Sequence, residues 1–185
     1  MTRSEQSRSR SARLLVRAGV IVFLVLCPFL VFAYQDHAAL SYARDHGGQS
    51  GLPVRNFHVD DAAGRHVADL SLEYANTVIR QNIGMRFRTV IPRGSGMIFV
   101  FGGFHEVAMT MDDCPVPEDM IFVGKHGRIV SIASDIPPMK TEPIESGVPV
   151  VAVIEIAGGG ASRLHIGTSD AFVFSRTSLD SSLAP

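Results

Sequence analysis

Two cysteines are all that this chain of 185 residues contains. Cys27 lies in an apolar N-terminal run, so it cannot bridge to Cys114 across a folded domain. The folded part therefore has one thiol and no internal disulfide, and its stability must come from a packed core. Basic charge is equally scarce beyond the N-terminus. Residues 1–17 hold Arg3, Arg8, Arg10, Arg13 and Arg17 against Glu5, a balance of +4, so the chain's −1 leaves −5 for residues 18–185. That remainder has no cationic excess for neutralising phosphates, and nucleic acid is not an expected partner. Several site signatures are missing as well. Gly158-Gly159-Gly160 lacks the Lys-Ser/Thr of a phosphate-binding loop and the spacing of a dinucleotide fingerprint, so it reads as a strand-to-helix turn. No Ser-His-Asp or Cys-His order suggests a nucleophile, and Cys114 beside Asp112 and Asp113 should have a raised thiol pKa. No internal repeat is visible.

What is present begins with the N-terminus. Residues 18–34 carry no charge, and seventeen residues at 1.5 Å each reach roughly 25 Å, the short end of a membrane-spanning helix. The arginine-rich flank, 1–17, should stay cytoplasmic and place everything after the apolar run outside. A signal peptide cut between Ala33 and Tyr34 is the rival reading, and both export the domain. Leu26 stands where a lipoprotein signal needs a small residue before its cysteine, so lipidation is rejected. Residues 35–53, with Gly47-Gly48-Gln49-Ser50-Gly51, read as a flexible linker, and the Ser-rich 175–185 as a disordered tail.

Between them, residues 54–174 read as a β-rich domain. Residues 54–60 and 66–74 suggest a hairpin, the second arm alternating Leu70, Leu72 and Tyr74 with Asp69, Ser71 and Glu73. His58 and His66 are equidistant from Ala62 and could face each other across the arms; two imidazoles could hold a metal, but two ligands make a poor site, so they read as a solvated pair. Thr77 suits an N-cap for a short helix over 78–83, which Gly84 should end. The apolar run 97–101 predicts a buried strand, with Gly102-Gly103 turning the chain into another strand at 107–111. A second hairpin is expected from 119–123 and 128–133. A proline-containing loop at 135–147, a strand at 148–156, a short helix at 161–165 and a last strand at 171–174 complete the pattern. The expected fold is mostly β with one or two short helices (α+β), a compact antiparallel β-barrel or sandwich behind an N-terminal membrane helix.

Gly84-Met85-Arg86-Phe87-Arg88 is followed by Met109-Thr110-Met111-Asp112-Asp113-Cys114 and by Pro117-Glu118-Asp119 before an apolar strand. In this order and spacing, 75–174 resembles the uncharacterised family called domain of unknown function 192. The family's strings are like Arg-Gly-Leu-Met-Phe-Arg, Phe-Trp-Met-Lys-Asn-Thr and Pro-Leu-Asp. Gly84, Phe87, Arg88, Met111, Pro117 and Asp119 match, whereas Asp112 and Asp113 replace the lysine and asparagine. The resemblance implies a bacterial protein. The anchor would then be an inner-membrane single pass with the domain outside the cytoplasm, or the domain would be periplasmic after cleavage.

The expected function is that of a binding or interaction module, not an enzyme, with an unidentified protein or small molecule as partner and the membrane engaged through 18–34. No cofactor is expected. One alternative is a copper-handling module in which His105, Met109, Met111 and Cys114 supply soft ligands. A second is a hydrolase with Arg88, Asp119 and Glu155 at a shared cleft. Glu155 lies in an apolar strand where a free carboxylate is costly to bury, and Arg88 is expected to pair with Glu155 or Asp119. Asp112, Asp113, Glu118 and Asp119 read as a solvated acidic loop, Asp119 excepted because it enters a strand.

Overall fold

The structure, a computed structural model, describes residues 28–173. The expectations for 1–17, for most of the apolar run and for the tail from 174 onward lie outside these residues. Residues 28–46 are helical (α1), and among the described residues no helix is long and apolar enough to cross a membrane. Two compact units divide the chain at residue 40. The second holds the β-rich domain, and all that follows concerns it.

Its strands are β1 (Val54–Asp60), β2 (His66–Ala75), β3 (Ser95–His105), β4 (Ala108–Met109), β5 (Glu118–Val123), β6 (Ile129–Ile136), β7 (Ile144–Glu145), β8 (Val150–Ala157) and β9 (Ala171–Val173). Helix α2 (Val78–Ile83) and the single turn α3 (Gly160–Arg163) accompany them. Seven strands form one curled sheet in the order β6-β5-β8-β3-β2-β1-β9, and β4 pairs with β7 in a separate ribbon. At one end the outer strands touch: Arg128 bridges Ala171, and the Ile129 amide donates to Asp170 O at 2.8 Å. The mostly β expectation holds, as a sheet curled towards a barrel.

One pairing departs from the antiparallel expectation. Strands β2 and β3 are parallel, with Ser71 opposite Ser95 and Ala75 opposite Phe99. A parallel pair needs a crossover, and α2 with the loop after it provides one. The helix forms as its sequence suggests: Thr77 Oγ1 accepts from the Arg80 amide, and Gly84 ends it at φ 52°.

Gly102 and Gly103 do not turn the chain but lie inside β3, which continues to His105. Its pairing with β8 slips between Val100 and His105, so an irregular stretch absorbs the two glycines. The strand expected at 107–111 shrinks to Ala108–Met109, because its partner inside the proline-containing loop, Ile144–Glu145, is equally short.

Alternation gives the sheet two apolar faces. Phe57, Leu70, Leu72, Ile98, Ile121 and Ile154 fill one core. Met85, Met97, Phe99, Met111, Met120 and Phe122 fill the other. Strand β5 is buried along its whole length, as a central strand covered on both faces must be.

Candidate functional site

In register, Glu73 on β2 stands opposite Met97, Met97 opposite Glu155, and Glu155 opposite Met120. This row crosses four strands. Its interior end is sealed among methionines, while Glu73 opens onto a groove.

Arg88 meets Glu73 there. Its Nη1 and Nη2 donate to Glu73 Oε1 and Oε2 at 2.7 and 2.6 Å, a bidentate fork, and Nη2 also donates to Gln49 O at 3.1 Å. The turn before Arg88 is strained: Phe87 has φ 66°, a value costly for a bulky residue, and its amide is held by Asp113 O at 2.7 Å. Gln49 fixes the facing segment by donating to Arg80 O and Gly84 O at the end of α2, both at 2.9 Å. Gly48 is required beside it, since its φ is 118° and a Cβ there would stand 2.8 Å from Arg88 Cγ. Part of the expected 35–53 linker is thus one wall of the groove.

The groove is a cleft of about 460 Å³ whose lining includes Gly48, Ser50, Gly51, Glu73, Arg88 and Thr89. A second hollow of about 240 Å³ adjoins it and shares Val54, Glu73 and Arg88. The ion pair lies between them, its side chains 17% and 25% exposed. The Nε of Arg88 is buried without a partner.

The expected pairing of Arg88 with Glu155 or Asp119 is therefore replaced by Glu73. Asp119 is occupied otherwise: Oδ1 accepts from the Asp135 and Gly159 amides at 2.7 and 2.8 Å, and Oδ2 from the Ala161 amide at 2.8 Å. It pins the triple-glycine turn to β5. Glu155 is buried in the sheet, and burial first, then the nearby Glu118, raises its pKa well above the usual carboxylate range. Of the three hydrolase candidates only Arg88 lines the groove.

Glu118 corrects the acidic-loop reading, because it is fully buried at the start of β5, as is Asp119. Burial pushes its pKa up to about 7, against smaller lowering effects of the Cys114 thiol and the Arg88 charge. Neither of its oxygens has a partner in good hydrogen-bonding geometry. Asp112 does stay at the surface, accepting from Thr110 Oγ1 at 3.1 Å and facing Arg86 at 3.5 Å.

The copper candidates divide between core and surface. Met111 and Cys114 are buried with Met97 and Met120, Met109 is half-buried, and His105 is exposed with its ring edge-on to Phe101. The Cys114 thiol donates to Asp112 O at 3.6 Å. Burial foremost, with Glu118 and Glu155 adding to it, raises its pKa far above the usual thiol value, so it is a poor thiolate.

Glu73 and Gln49 were not singled out from the sequence, and Glu118 was read only as part of a solvated acidic loop. Glu73 was visible only as an outward position on an alternating strand, and Gln49 as a polar residue among glycines.

Residues 59–174 match the family DUF192, described as Uncharacterized ACR. Two solved structures are similar over most of their length. One, from Sinorhizobium meliloti and provisionally called a transcription regulator, is 28% identical with a TM-score of 0.64, over 68% of this chain and 97% of that one. The other, a protein of unknown function from Novosphingobium aromaticivorans, is 34% identical with a TM-score of 0.63, over 68% of this chain and 88% of that one. No curated protein matches the chain.

Proposed function

The chain belongs to the DUF192 family, and with that as premise we propose that it is a binding module whose ligand is a small polar molecule held in the groove over Arg88 and Glu73. The observation that carries this reading is the half-buried ion pair between two adjoining hollows. Such a pair offers a ligand charges of both signs already fixed in place, and Ser50 and Thr89 line the same groove. Small-molecule sites have this form, a concavity with a few convergent polar groups. The two other carboxylates proposed for hydrolysis are withdrawn from the groove, which favours binding over catalysis. The Arg-rich flank and apolar run of the sequence support an exported, membrane-tethered placement for the module. The negative remainder of the chain supports a ligand other than nucleic acid.

The test is a polar fragment library screened by amide and arginine Nε–H NMR on the isotope-labelled full chain. We expect hits to shift Gly48, Gly51 and the Arg88 Nε resonance together, and Arg88→Gln to abolish those shifts while the other amides keep their positions. Hits that leave Arg88 unmoved, or that bind Arg88→Gln equally well, would overturn the reading.

A further inference from the structure

At the far end of the β1–β2 hairpin from the groove, the register sets His58 opposite Asp69 and Asp60 opposite His66. Among the described residues, His58, His66 and Asp69 are the cluster whose ligand atoms all lie within 4.8 Å of one another. His58 Nδ1 contacts Asp69 Oδ1, and His66 Nε2 lies 3.4 Å from Asp69 Oδ2. The two imidazole rings are 5.8 Å apart, edge to face. A bulge between Val59 and Asp60 shifts the register there, so that His66 and Asp69 come to one side of the hairpin end.

From this geometry we infer that the hairpin end is a binding site for a divalent transition-metal ion, with His58 Nδ1, His66 Nε2 and one oxygen of Asp69 as ligands. The spacing suits it. Zinc bonds of about 2.0–2.1 Å set tetrahedral ligand atoms roughly 3.3 Å apart, close to the His66–Asp69 separation. A carboxylate also stands on the side of the second nitrogen. His66 Nδ1 faces Asp60 Oδ1 at 3.8 Å. That carboxylate lies beyond direct hydrogen-bond length, near the nitrogen on which metal-bound imidazoles take an outer-shell carboxylate. Two imidazoles and a carboxylate without sulfur suit Zn²⁺, Ni²⁺ or Cu²⁺ and not Cu(I), so this site is separate from the copper alternative. Three protein ligands leave a coordination position for water or for a donor from a partner. A cation would replace the direct contact between His58 Nδ1 and the Asp69 carboxylate.

The experiment is calorimetric titration of the full chain, stripped with chelator and dialysed, using zinc chloride as the probe. We expect saturation at one zinc per chain. His66→Gln and Asp69→Asn should each weaken binding at least tenfold, and Asp60→Asn about tenfold through its effect on His66. His105→Gln, outside the cluster, should bind as the native chain does. His66, Asp69 and His105 are exposed and Asp60 is half-buried, and circular dichroism would verify that each variant is folded. Zinc should also raise the melting temperature of the native chain and not that of Asp69→Asn. No saturable zinc, several weak equivalents indifferent to His66→Gln, or a loss in His105→Gln alone would each overturn the inference.

Discussion

Two carboxylates on the same strand, one residue apart, have opposite fates. Asp119 points to a ring of backbone amides and is satisfied three times over, whereas Glu118 faces the methionine-lined core with no partner in good hydrogen-bonding geometry. Alternation along β5 is the cause, since adjacent side chains leave opposite faces of a strand. Asp119→Ala would strip acceptors from the Asp135, Gly159 and Ala161 amides. We expect a loss of about 3 kcal/mol in urea unfolding, given the strength of hydrogen bonds to charged acceptors and the cost of orphaned amides. Glu118 has a different signature. Its pKa is raised from 4.5 to about 7, so between those values the folded state holds a proton that the unfolded state has released. Stability from this group is present below pH 4.5 and is lost as pH rises towards 7. Glu155, also raised, acts in the same direction. Each proton contributes a slope of about 1.4 kcal/mol per pH unit within its window. Glu118→Gln should therefore flatten the fall in stability between about pH 4.5 and 7, read from urea midpoints at several pH values. A profile as steep as that of the native chain would place the titration elsewhere.

Elements with local causes were legible from the sequence, and elements with distant causes were not. The β1–β2 hairpin, the Thr77 cap, the Gly84 stop and the β5–β6 hairpin each rest on residues a few positions apart. The parallel β2–β3 pair rests on a crossover, and nothing in either strand's own alternation distinguishes a parallel neighbour from an antiparallel one. Gly102-Gly103 carries a turn signal that the β8 partner overrides by taking up the slack in a shifted register. For the site the divide is the same. Arg88 could be singled out by its family position, but its partner Glu73 lies on a strand that the crossover brings alongside, fifteen residues earlier in the chain. The glycine-rich segment gave no sign of its role, because it is pinned by Gln49 to a helix end thirty-one residues away. That pinning yields a prediction at the element scale. Gly48→Ala forces a Cβ against the Arg88 stem at a positive φ. It should displace the guanidinium fork and remove fragment binding in the groove, while the β-sheet signature in circular dichroism stays unchanged. Unaltered fragment shifts would show that the segment is not a wall of the site.

Across the whole domain, order should fall off from the sheet's centre. β8 is hydrogen-bonded on both sides, to β3 and β5, and its residues are buried almost throughout. The β4–β7 ribbon pairs Ala108 with Glu145 and Met109 with Ile144, is extended by hydrogen bonds between Val107 and Ser146, and is flanked mostly by exposed loop residues. The groove lies between these extremes, with a strained Phe87 turn and a polar wall held by the Gln49 side chain and by Arg88 at Gln49 O. Local opening free energies track the number of buried apolar contacts and the exposure of backbone hydrogen bonds. Hydrogen exchange read by mass spectrometry should then give three tiers. Peptides spanning 118–123 and 150–157 should exchange only with global unfolding, 84–92 at an intermediate rate, and 139–149 fastest. A ligand seated over Arg88 and Glu73 couples the turn to the sheet, so its addition should slow the middle tier alone. If 139–149 slowed and 84–92 did not, the binding surface would have to be moved to the ribbon, and the ion pair would be left with a structural role.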